Sequence, residues 1–164
     1  MTHAPTGAVS LEMRLALALP LALLATACGS AQAPRPPAAA PPEAAAGGPP
    51  RAWIETKAGS RWLGFSTYCW TRTTPKGRAG TCADAIAPTC DQPQVPKVPV
   101  EQGETVRAHL GFAPAEASVL GRQATLRGRS VEWQIDSAGT FVVFARAKDG
   151  NDASYAGCAI LERS

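Results

Sequence analysis

Thiols are the most reactive side chains in this 164-residue sequence, and their spacing sets one apart from four. Cys28 closes an apolar run, Leu21-Ala22-Leu23-Leu24-Ala25-Thr26-Ala27, whereas Cys69, Cys82, Cys90 and Cys158 fall in a stretch of mixed composition. An even set of four in an exported chain reads as two disulfides made in an oxidising compartment. A four-thiolate zinc centre is excluded by spacing, because neither Cys69 to Cys82 nor Cys82 to Cys90 has the short loop of a zinc knuckle.

The other candidates do not assemble a catalytic centre. His109 is the one histidine after Cys28. Alternation groups it with Thr105 and Arg107, opposite Val106, Ala108 and Leu110, as a solvated strand residue. No Gly-x-Ser-x-Gly elbow, His-Glu-x-x-His pair or phosphate loop occurs. A blue-copper site needs two histidines and an accessory methionine, and no methionine follows Cys28. Glu132 and Asp136 form an acid pair that nothing in the sequence positions for hydrolysis. Asp149-Gly150-Asn151-Asp152 gathers oxygen ligands on a glycine turn, but too few for a calcium loop, so it reads as a hairpin turn. The expectation is a non-enzymatic protein with no cofactor, no metal and no catalytic residue. A net charge of +3 without a clustered basic face excludes a nucleic-acid partner.

Recognition is the remaining chemistry. If one strand continues through this region, Leu63, Phe65 and Cys69 share a face, and Trp62, Tyr68, Trp70 and Arg72 line the other. A row of Trp and Tyr beside Arg is the material of a binding hot spot. The same rings are core if a second sheet covers them, and the sequence leaves both arrangements open.

The elements that must position these groups are strands. From Arg51 the chain alternates in short runs broken by Gly, Pro, Asp and Asn, with no sustained 3.6-residue period. Strands are expected near Ala52–Thr56, Arg61–Phe65, Thr67–Arg72, Thr105–Phe112, Ser118–Gln123, Ser130–Asp136, Thr140–Ala147 and Tyr155–Glu162. That count and length fit an all-β, immunoglobulin-like two-sheet β-sandwich over residues 51–164. Val131, Trp133 and Ile135 should face its core, with Glu132, Gln134 and Asp136 in water. Phe141 stands where many such domains carry a corner tyrosine, and without a hydroxyl it cannot make that corner's hydrogen bond. Turn formers at Thr73-Thr74-Pro75-Lys76-Gly77 fold Cys69 toward Cys82, which leaves Cys90 for Cys158. By loop entropy the two bridges contribute about 3 and about 4 kcal/mol.

Upstream of the domain the sequence is an address and a tether. Met13-Arg14, the apolar segment Leu15 to Leu24 and the small residues before Cys28 follow the tripartite signal pattern, with Met13 a better start than Met1. The run ending in Cys28 resembles a bacterial lipobox, with Ala25 in the family's leucine position. The resemblance implies that residues 1–27 are removed and that Cys28 carries lipid. Residues 28–50 then form a lipidated cysteine and a disordered Ala/Pro-rich tether, reaching up to about 70 Å. Pro34-Arg35-Pro36-Pro37 within it also has the composition of a peptide-recognition motif. A second pattern, Tyr68-Cys69-Trp70 followed by Cys82-Ala83-Asp84, resembles uncharacterised small envelope lipoproteins of Gram-positive and related bacteria. It implies pairing of Cys69 with Cys82. The expected protein is therefore anchored to the membrane through Cys28, faces the extracytoplasmic side of the cell envelope, and binds another envelope component or an envelope protein. The alternative is a small carbohydrate-binding or inhibitor module serving an envelope enzyme, with a glycan as partner.

Overall fold

The computed structural model describes residues 33–43, 46–120 and 122–162. The signal segment, Cys28 and residues 29–32 lie outside the described residues. Five strands form one sheet: β1 (Ala52–Thr56), β2 (Gly59–Trp62), β6 (Glu104–Leu110), β9 (Thr125–Arg127) and β10 (Ser130–Ile135). The other contains β3 (Gly64–Thr74), β4 (Gly77–Ala83), β5 (Lys97–Val100), β7 (Glu116–Val119), β8 (Arg122–Gln123), β11 (Gly139–Arg146) and β12 (Asp152–Leu161).

Period-two patterning explains how the sheets face each other. β6 buries Glu104, Val106, Ala108 and Leu110 and turns Thr105 and Arg107 outward. Val131 and Ile135 of β10 likewise point inward, against Val143 and Tyr155 of the opposite sheet in one continuous core. Glu104 is a buried exception whose carboxylate is bonded. It accepts from Lys57 N at 2.6 Å and Glu101 N at 2.9 Å, joining the β1–β2 and β5–β6 turns.

The connectivity is immunoglobulin-like. The order β1-β6-β10-β9 opposite β7-β11-β12 is that of strands A-B-E-D opposite C-F-G, and β8 stands where the variable type adds C′. Between the A-like and B-like strands this chain inserts β2, β3, β4 and β5. The β3–β4 hairpin extends the second sheet beyond β12, and β5 runs parallel to the end of β12 from Cys158↔Lys97 to Leu161↔Val100.

Three local expectations change. The runs near Arg61–Phe65 and Thr67–Arg72 are not neighbours in one sheet, because the chain crosses between sheets at Leu63. That residue is fully buried and its amide donates to Ala52 O at 3.0 Å. The run Ser118–Gln123 is split at Leu120, whose φ of 53° turns the backbone out of the ladder. No strand is expected over β5, which contains Pro99 and directly follows Pro96. Pro96 O nonetheless accepts from Cys158 N at 2.9 Å, and one strand edge is enough.

Both disulfides are formed, Cys69–Cys82 within the β3–β4 hairpin and Cys90–Cys158 across a separation of 68 residues. The second pins the connection after β4 over the outside of β12. There Val95, Ala156 and Cys158 make a small second core with Cys90 and Val142. β12 is consequently buried on both faces.

The described residues of the segment before Arg51 carry no helix or strand, and several of them touch the domain. Pro49 is buried, and Pro50 O accepts the Tyr155 hydroxyl at 2.6 Å. A side chain at Gly111 would collide with the Pro50 ring, so the close approach depends on that glycine. Farther upstream, Ala39 O accepts Trp62 Nε1–H at 2.7 Å and Arg35 O accepts the Ser60 hydroxyl at 3.3 Å. An extended proline-rich chain bonds none of its own carbonyls, and here the domain supplies the donors.

Candidate functional site

The nominated aromatic row does not form one surface. Trp62 lies on β2 in the five-stranded sheet, whereas Tyr68, Trp70 and Arg72 lie on β3 in the other. Tyr68 and Trp70 are only 7% and 9% exposed, and Trp70 meets Phe112 edge-on at 5.0 Å inside the sandwich. The exposed row is thus replaced by core. Alternation along β3 does set Cys69 opposite Tyr68 and Trp70, with the two rings inward and Cys69 and Cys82 exposed. Large rings gain most from burial, about 150–250 Å² each, while a cystine needs only the facing strand. Arg72 is exposed at the hairpin, and Trp62 is half-buried under the proline-rich segment. A side chain at Gly47 would stand 2.9 Å from Arg72 Nη2, so both residues meet the chain's own N-terminal stretch.

His109 is not the solvated residue expected. Registers Trp53↔His109 and Ser130↔His109 place it between β1 and β10, with its imidazole stacked on Trp53 at 3.9 Å and 13°. Nε2 lies 3.0 Å from Glu55 Oε2, and Nδ1 lies 3.0 Å from Ser130 Oγ. A carboxylate only accepts, so Nε2–H donates to Glu55, and in the neutral ring Nδ1 accepts the Ser130 hydroxyl proton. Beside this row Glu132 receives Arg107 Nε at 2.7 Å and faces Arg127 Nε at 3.5 Å. The Arg107 hydrogen bond, assisted by the charges of Arg107 and Arg127, holds the Glu132 carboxyl below its ordinary value. Ser, His and Glu in series are the residue types of a nucleophilic triad. Here Ser130 is buried in an interior strand, Pro34 lines the depression in front of it, and both guanidinium groups are turned to Glu132. The row is a hydrogen-bonded platform on the outer face, and Glu132 is paired with its arginines rather than with the exposed Asp136.

The candidate calcium turn is also committed. Asn151 is buried, accepts Thr71 N at 2.6 Å and donates to Thr71 O at 3.0 Å, so its amide pairs with β3 as a strand would. Asp149 and Asp152 accept from Asn151 and from Cys69 N.

The arrangement with the shape of a ligand site is one that sequence reading missed. A cleft of about 680 Å³ opens between the sheets where β10 turns into β11, facing β7 and β8. That volume falls within the range of small-ligand sites, about 300–1,000 Å³. β9 pairs β10 only from Ser130 to Glu132, so the flank of Trp133 has no strand beside it. Trp133 faces the core as expected, but it is only partly covered there and forms the floor with Phe141, the ring centroids 5.4 Å apart. Phe141 lies over Gly157, where any side chain would collide with its ring. Arg122, Glu132, Gln134, Asp136 and Thr140 rim the floor. Leu120, 66% exposed at the strained φ of 53°, holds an apolar side chain at the mouth. The signal available in the sequence was the shortness of the strands around Trp133.

No protein-family model, curated protein or solved structure matches the chain.

Proposed function

We propose that this is a lipid-anchored, non-enzymatic binding protein of the cell envelope whose ligand enters the cleft floored by Trp133 and Phe141. Two disulfides belong to an oxidising, non-cytoplasmic compartment. Among the described residues no helix is long and apolar enough to cross a membrane. The lipobox-like run ending at Cys28 supports attachment through lipid. The cleft carries the binding reading, since it is the described place where a partly exposed aromatic floor meets convergent polar groups.

The rim favours a second, narrower reading as a carbohydrate-binding module. The hydroxyl and charged groups of Thr140, Arg122 and Asp136 suit sugar hydroxyls, while an indole face suits the apolar face of a sugar ring. Intrinsic fluorescence titrated with soluble envelope glycans and with envelope proteins tests both readings. Binding that disappears in Trp133→Leu and persists in Trp62→Phe supports the cleft. Binding indifferent to Trp133 removes it, and binding confined to proteins removes the carbohydrate reading.

A further inference from the structure

The proline-rich segment does not merely precede the domain. Residues 33–43 form neither helix nor strand, bend at Ala38–Ala39, and run over the outside of the five-stranded sheet to its β2 edge. Pro34 lines a shallow depression with Arg107, His109, Arg127, Ser130 and Glu132. Arg35 and Ala39 turn their carbonyls to Ser60 and Trp62, which alternate onto one face of β2. Indole N–H donors beside aromatic surface are the means by which grooves read polyproline II segments, whose carbonyls are free and whose ordering entropy is already low. The platform beneath is stiffened by the Trp53–His109 stack and the bonds from His109 to Glu55 and Ser130.

We propose that the outer face of the five-stranded sheet is a receptor for an extended proline-rich segment, and that its resident occupant is this chain's own residues 33–43. The connection through Pro50 gives the segment an effective concentration on the order of millimolar, so modest contacts hold it. On the reading that Cys28 is anchored, docking sets the reach of the tether. With the strap seated, only Gly29 to Gln32 separate the anchor from the domain, a span of at most about 14 Å. Released, residues 29–50 reach up to about 70 Å. The face thus stores tether length, and a proline-rich partner that displaces the strap would extend it.

The docking is tested without the lipid, so its failure and that of the anchor are read separately. In the mature chain bearing Cys28→Ser, hydrogen exchange of the four indole N–H groups is followed by NMR. The Trp62 indole should be protected, and replacing Pro34, Pro36 and Pro37 by Gly should accelerate its exchange about ten-fold or more, with the melting temperature and the other indoles unchanged. A peptide of residues 33–43 added to that variant should restore protection saturably, and should act on the unsubstituted chain only at far higher concentration. Equal Trp62 exchange in the two chains, or a peptide without effect, overturns the proposal. Protection that rises with protein concentration also overturns it, by assigning the strap to a second copy.

Discussion

Tyr155 ties the proline segment to the core with one hydroxyl, so its removal is felt at both. Tyr155→Phe leaves Pro50 O without its donor and should cost about 1–3 kcal/mol in a denaturant titration. Burial raises the Tyr155 phenol above its ordinary 10.0, because the phenolate is disfavoured away from water. The unfolded chain therefore ionises first. The stability tied to this group is intact below pH 10 and is lost as pH rises above it, and Tyr155→Phe should flatten that alkaline loss. Glu132 behaves oppositely. Its carboxyl is held below 4.5 chiefly by the Arg107 hydrogen bond, so its contribution is present above that value and lost as pH falls through the folded value. Arg107→Met should raise the midpoint of acid unfolding followed by circular dichroism. Residue types and alternation made Arg107 and Glu132 legible as outward groups. They could not reveal that His109 shares that face with Trp53 and Ser130, since cross-strand partners depend on register between segments distant in sequence.

At the scale of elements, the β3–β4 hairpin and the connection after it are held by different means. β3 contributes Tyr68 and Trp70 to the core, so Trp70→Ala should cost about 3–5 kcal/mol by thermal melting, and a loss under 1 kcal/mol would return Trp70 to the surface. The connection from Asp84 to Pro96 buries little besides Val95 and relies on Cys90–Cys158. Replacing both of those cysteines by Ala should cost about 4 kcal/mol and leave amides of residues 89–98 exchanging faster than those of β6 and β11. The hairpin pairing of Cys69 with Cys82 was readable because Thr74-Pro75-Lys76-Gly77 supplies a turn between them, with Thr74 Oγ1 donating to Gly77 O at 2.7 Å. The inward sense of Trp70 was not readable. Period two fixes only which residues share a face, and the insertion of β2 to β5 places that face against Phe112.

For the whole molecule, the anchor reading predicts that Cys28→Ser moves the protein from the membrane to the soluble fraction. Intact mass should lose one diacylglyceryl-type modification, whose effect follows from about 0.8 kcal/mol per buried methylene. A variant that stays with the membrane defeats that reading. The sequence alone determined the class of the domain and its staples: alternating runs without helical period can bury a face only as strands, and four cysteines on these elements pair in the observed way. It also located the proline-rich stretch, since composition alone removes internal hydrogen bonding there. Only the tertiary structure decided that this stretch lies on the domain, that the chain changes sheets at Leu63, and that a cleft opens beside Trp133. Each of these depends on which strand edge or donor another segment leaves uncovered, a property of spatial neighbours that no local pattern encodes.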